Sequence, residues 1–378
     1  MNHIRVRHSD IDIGKPLPWD VYDEKGTLLL SKGYVVATEN QVDRLISVGV
    51  FADANALKAS RLAQYEAEQA EVFAAPVSTP WLDLRKRMEL LYEDLDRVMA
   101  SGQFVWQIQE IARQIDKLCT EKPELAQAII SLNQDGHYAI RHMLDTAVIV
   151  RLVARTLKFQ PHYEMSAVCA ALTMNLGTTM FQQQLKSQLE KPSEEQLEAL
   201  HQHPVVAHKR LFDVGLRDDI WLTAVLQHHE VLDGSGYPGH LNGNAISMEA
   251  QLIRLADIYT ARLIFREYRS AVPPTVALRD ILNERGKKFD GTLAPKFIHA
   301  VGIFPPGLQI RLANGERGVV VRNGTSPNHP VVMALIDPQG NPIPGGVLRD
   351  TQLAEFGAKE TIDPVTFKAY VDVDAIWG

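Results

Sequence analysis

The stretch His228-His229-Glu230-Val231-Leu232-Asp233-Gly234-Ser235-Gly236-Tyr237-Pro238 decides how this chain reads. Two adjacent histidines at a helix end lie about 100° apart around the axis, which leaves both imidazoles within reach of one cation. The glycines that follow let backbone and Tyr237 come close to a ligand. Taken singly, a histidine pair is an ordinary surface feature and Gly-Ser-Gly an ordinary turn. Their succession is what carries information.

Working outward, the surroundings are helical. From Trp81 to about Val301 apolar residues recur at three- and four-residue spacing, as in Leu84, Met88, Leu91, Leu95 and Met99. Further helices are expected at about 104–118, 138–158, 163–175, 193–203, 217–229, 249–270 and 273–285. Ser193 with Gln196 three residues on forms a capping box, in which hydroxyl and amide satisfy orphan backbone donors reciprocally. After Pro305-Pro306-Gly307 the pattern changes to short β-branched runs, Val319-Val320-Val321 and Val331-Val332, set apart by Asn314-Gly315 and Asn323-Gly324 turns. Towards the N-terminus, the Asp23-Glu24-Lys25-Gly26 turn separates Trp19–Tyr22 from Thr27–Leu30, and Thr38 with Gln41 opens a helix. An Ala- and Glu-rich segment then ends in Ala75-Pro76-Val77-Ser78-Thr79-Pro80. The expected architecture is mostly α: an all-helical bundle at 81–305, a small mixed α/β module at 1–55, a linker at 56–80, and a small β module with its tail at 306–378.

Composition sets limits on function. With 378 residues, 46% of them apolar and 22% charged, the chain is long enough for one large core and small satellites. A net charge of -7 and a pI near 6.0 argue against a nucleic-acid polymer as partner. Cys119 and Cys169 are too few and too far apart for a disulfide framework or a thiolate metal site, which fits the reducing cytoplasm. No run approaches the ~20 apolar residues of a membrane span.

The string His228 to Pro238, in its helical setting, resembles the signature of the HD-GYP family, and the resemblance extends over roughly residues 130–300. It implies an all-helical HD-type bundle and a phosphodiesterase that opens cyclic di-GMP with two or three iron or manganese ions. Matched residue by residue, His142 resembles the first metal histidine and His203, in His203-Pro204, the third-helix ligand. His228 and His229 resemble the paired ligands, and Asp257 in Ala256-Asp257-Ile258-Tyr259 the late carboxylate. On the ligand side Tyr237 is kept. Arg266 and Arg269 match the family's Arg-Pro-Tyr-Arg segment, with Glu267 in place of proline, and suit a pair of phosphates.

The departure lies in Ala170-Ala171-Leu172-Thr173-Met174-Asn175-Leu176-Gly177-Thr178. In register, Met174 replaces the namesake histidine, Asn175 the metal-bridging aspartate and Thr178 the lysine that steadies the scissile phosphate; Thr260 replaces a second aspartate. A bridging carboxylate offers two anionic oxygens to hard cations, whereas Asn offers one neutral carbonyl and Met a soft thioether. No catalytic residue is therefore expected intact. At most one transition metal (iron, manganese or zinc) is expected, at His203, His228 and His229, because His142 and Asp257 alone make a poor second site. The expectation is a degenerate HD-GYP protein of bacterial cyclic di-GMP signalling, binding a cyclic dinucleotide or a protein partner as a regulator with little or no hydrolysis. An active phosphodiesterase with an altered metal centre and an interaction module with a vestigial pocket stay open, as does homodimerisation. Asp12-Ile13-Gly14-Lys15 spells part of the missing motif but runs into Pro16 and reads as a turn, and His201 and His208 read as surface histidines.

Overall fold

The computed structural model describes residues 3–61, 76–132, 136–179, 181, 185, 188, 190–264, 271–367 and 369–378. Two compact units result, Met1–Pro76 and Val77–Gly378.

The first unit carries an antiparallel sheet of β1 (His3–Arg5), β2 (Val21–Tyr22), β3 (Leu28–Leu30) and β4 (Phe51–Asp53) in the order β1-β4-β2-β3, with a helix at Glu39–Val48. The β2–β3 turn forms because Asp23 Oδ1 accepts from the backbone N–H of Lys25 and of Thr27, each at 2.8 Å. Val6, Trp19, Val21, Val42, Ala52 and Leu57 make its core. Asp12-Ile13-Gly14-Lys15 is indeed a turn, with the Lys15 N–H 3.2 Å from the Asp12 carbonyl and Gly14 at φ +81.

The second unit is built around the helix Tyr138–Thr156, against which Phe104–Glu121, Pro161–Thr173, Met248–Leu263 and Leu293–Val301 pack. The sequence suggests an amphipathic helix opened by His142. Instead the helix is surrounded, so that even Arg141, Asp145 and Arg151 are buried. Arg151 is tolerable there because Asp116 and Glu164 meet it at 2.5 and 2.6 Å; a buried charge without partners would be strongly destabilising. Cys119 and Cys169 are buried free thiols, and burial pushes Cys119 up to about 12.

Pro123–Leu132 is a further helix, covered on both sides: Ala126 and Ile130 join the main helical core. Leu125 and Ala128 share a cluster with Val319 and Trp377 of the C-terminal region. That region is an antiparallel sheet of β5 (Gln309–Leu312), β6 (Arg317–Arg322), β7 (Val331–Ile336), β8 (Pro342–Asp350) and β9 (Ala358–Thr361), ordered β8-β7-β6-β5-β9. It is tied to the helices by Lys122 Nζ donating to the Trp377 carbonyl at 2.7 Å, and Trp377 Nε1 donates onward to the Val321 carbonyl at 2.9 Å. Gly307, at φ +84, marks the join: a Cβ there would lie 2.7 Å from the Ala128 carbonyl oxygen. Among the described residues no helix is long and apolar enough to cross a membrane.

Candidate metal and ligand site

The helix Glu194–Asp213 runs through Pro204, where the sequence suggests an end. Proline has no N–H, so the Leu200 carbonyl one turn back loses its helical partner. His203 Nδ1 takes that carbonyl instead. The ring nitrogen bonded to a carbonyl must carry the proton, which leaves Nε2 as a lone pair.

His228 is held alike. Its helix, Asp219–Gln227, starts on Asp218, which accepts from the Trp221 N–H at 3.0 Å, and it ends with His228 as the C-cap. Trp221 Nε1 donates to Thr173 Oγ1 at 2.7 Å and fixes the helix against its neighbour. His228 Nδ1 lies 2.7 Å from the Val225 carbonyl, so its Nε2 is again a lone pair. The two Nε2 atoms are 3.0 Å apart. Two lone pairs at that distance repel unless a cation or proton lies between them. His229 completes a cluster whose ligand atoms all lie within 4.8 Å of one another. Burial pushes His203 down to about 3, with His228 adding to the effect, and drives His228 and His229 in the same direction. All three are neutral at pH 7, the form that ligates a metal.

Opposite stands a self-contained pair, His142 Nε2 at 2.7 Å from Asp257 Oδ1. Burial works against the Asp257 charge, but the hydrogen bond and charge of His142 outweigh it and hold the carboxyl well below the usual range. Thr260 Oγ1 lies 3.3 Å from His142 Nδ1 and donates to the Ala256 carbonyl at 2.9 Å. Thr260 thus supplies a hydroxyl that steadies the histidine ring.

Met174 and Asn175 part company. Pro161–Thr173 ends just before them; Met174 enters the main apolar core, while Asn175 lines a cavity of about 160 Å³ together with His142, His203, His229, Tyr237 and Asp257. Thr178 turns back on its own loop, its N–H and Oγ1 both 3.1 Å from the Asn175 carbonyl.

The glycine loop corrects one expectation. Gly236 serves the chain's own backbone, since a Cβ there would lie 2.4 Å from the Val231 nitrogen and 2.5 Å from Glu230 Cα. Glu230 clamps the returning loop, accepting from the Gly239 N–H at 2.6 Å and the Leu241 N–H at 2.9 Å. Tyr237 is thereby laid on His229, with ring centroids 4.7 Å apart and planes at 27°. His201, read from the sequence as a plain surface residue, is exposed but also lies against Tyr237, the ring centroids 4.3 Å apart and the planes tilted by 33°. His208 is half-buried and is not among the histidines clustered for a cation. Arg266 and Arg269 lie outside the described residues. Arg254, missed by sequence reasoning, sits one turn before Asp257 with its Nε buried and, among the described residues, without a hydrogen-bond partner, its guanidinium 5.6 Å from the Phe289 ring centroid. The three-residue spacing from Asp257 was the signal for it.

Residues 118–293 match the HD-domain family. A cyclic di-GMP phosphodiesterase of Borreliella burgdorferi is 25% identical over 202 residues, 53% of either chain. One of Pseudomonas aeruginosa is 24% identical over 273 residues, 71% of this chain and 65% of that one. The matched HD domain and these relatives support the HD-GYP family for the helical unit. The fold of an HD-GYP-type protein from Bdellovibrio bacteriovorus is similar, with a TM-score of 0.51 at 16% identity, covering 78% of this chain and 98% of that one. This chain spans between half and two thirds of the two curated relatives named, 53% and 65% of their lengths. Its own cluster fits one cation, since three neutral imidazoles converge there, whereas His142 and Asp257 satisfy each other.

Proposed function

We propose that this HD-GYP protein is a regulator in cyclic di-GMP signalling, whose pocket binds the cyclic dinucleotide with little or no hydrolysis. One observation carries the reading: Asn175, which stands in the sequence where the family's bridging carboxylate would be, lines the cavity, and Met174 is withdrawn into the apolar core. A neutral amide cannot hold two hard cations together, so no hydroxide is fixed between metals and aimed at phosphorus.

His203, His228 and His229 would hold one ion of iron, manganese or zinc. When bound, it supplies positive charge that attracts a phosphate oxygen. The chain's own groups do the rest. Tyr237 and His229 form an aromatic wall, and the His142–Asp257 pair keeps the opposite wall polar. The competing reading, an active phosphodiesterase with an altered centre, draws its support from the names of the relatives.

Elemental analysis of purified protein, a calorimetric titration with cyclic di-GMP and chromatography of the same mixture separate the two. The expected result is at most one transition metal per chain, saturable binding and an unconsumed dinucleotide. Two stoichiometric ions with turnover that His229→Ala abolishes would establish the enzyme instead. Absence of binding with metal present would leave a protein partner as the pocket's role.

A further inference from the structure

We propose that His201 is a ligand-binding residue: its imidazole extends the ring contact of Tyr237 and His229 out of the cavity to the surface and stacks on a purine base of the bound dinucleotide. The inference rests on the cyclic-dinucleotide reading above and adds to it the place of a base.

Size comes first. The cavity measures about 160 Å³, whereas a site that engulfs a drug-sized ligand has roughly 300–1,000 Å³. A cyclic dinucleotide therefore enters only in part. Its phosphates belong on the polar side, near the histidine cluster, and a base must remain outside.

The rings lead from one place to the other. His229 and Tyr237 line the cavity and lie 4.7 Å apart at 27°; Tyr237 and His201 lie 4.3 Å apart at 33°. Both separations are those of attractive ring contacts. Exposure rises along the same path, from the half-buried His229 and Tyr237 to the exposed His201. His201 is not a cation ligand: on the helix Glu194–Asp213 it stands two residues from His203, a spacing that does not share a face, and it is absent from the three-histidine cluster. Among the described residues no hydrogen bond fixes its ring, so it is free to adapt to a base. Every base offers a π-face, and larger rings stack better.

The test compares cyclic di-GMP with cyclic di-UMP by calorimetry on the parent full chain, His201→Ala and His201→Phe, with metal content measured on each. Loss of a stacked base weakens binding by about tenfold. The expected pattern is that His201→Ala loses this factor for the purine dinucleotide and much less for the pyrimidine one, that His201→Phe keeps the parent's preference, and that metal content is equal in all three. If His201→Ala binds cyclic di-GMP like the parent, or weakens both dinucleotides equally, the base platform is refuted while the dinucleotide reading stands. If the parent binds neither, the dinucleotide reading falls and the platform falls with it.

Discussion

Glu230 follows the histidine pair directly, yet both of its oxygens accept backbone N–H groups of the loop that carries Tyr237. Hydrogen bonds to a buried charged acceptor contribute about 1.5–3 kcal/mol each. Glu230→Ala should therefore destabilise the protein by about 3 kcal/mol in urea unfolding and release Tyr237 from His229; a variant as stable as the parent would show that the loop holds itself. Met174 is a second single-residue case. Reintroducing the family's histidine by Met174→His puts a polar ring into the apolar core, at a cost of roughly 1–3 kcal/mol. Met174→Leu conserves volume and should cost under about 1.5 kcal/mol. Denaturant midpoints of the two variants check this, and equal stability would mean that position 174 reaches the cavity after all.

Within the helix Glu194–Asp213, Pro204 trades helix strength for ligand geometry. The freed Leu200 carbonyl orients His203 and fixes its tautomer. Pro204→Ala restores an N–H that competes for that carbonyl. The variant should gain stability without metal, by up to about 3 kcal/mol, since proline is unfavourable inside a helix. It should also bind metal more weakly, as loss of a partner orienting a ligand histidine costs about 10- to 100-fold. Thermal unfolding of chelated protein and a competitive metal titration read the two effects separately. Tighter or equal metal binding would show that His203 is oriented by its packing alone.

Across the whole molecule, the buried histidines make stability depend on pH. Burial lowers His203 from its usual 6.5 to about 3 and moves His228 and His229 the same way. Below 6.5 the unfolded chain binds protons that the folded one refuses, so this stability is full above 6.5 and drains away as pH falls towards 3. Asp257, held low by His142 against the effect of burial, adds to the loss at the acid end of that window. Asp145, raised by burial to about 7, and Glu164, raised likewise, act in the opposite sense. Above about pH 5 Asp257 does not titrate in either state, and the three imidazoles outnumber these two carboxyls. Chelated protein should show a lower urea midpoint at about pH 5.5 than at about pH 7.5, and a midpoint that rises on acidification would refute the balance drawn here.

What the sequence determined by itself was local in origin. The capping box of Ser193 and Gln196, the Asp23 turn, and the His228–Pro238 string each act within a few residues, and each is present in the structure. The family, the helical fold and the histidines that meet were legible from such short patterns and their order. The tertiary structure alone decided which side of a turn each departure faces. Met174 and Asn175 are neighbours in sequence, but the end of one helix sends the first into the core and the second into the cavity. It also decided that Pro123–Leu132 is covered on both sides, Ala126 and Ile130 by the helical core and Leu125 and Ala128 by the C-terminal region. And it gave His201 a partner, because ring contact between residues 36 positions apart (237 − 201) depends on how a loop returns to a helix, which no spacing in the sequence encodes.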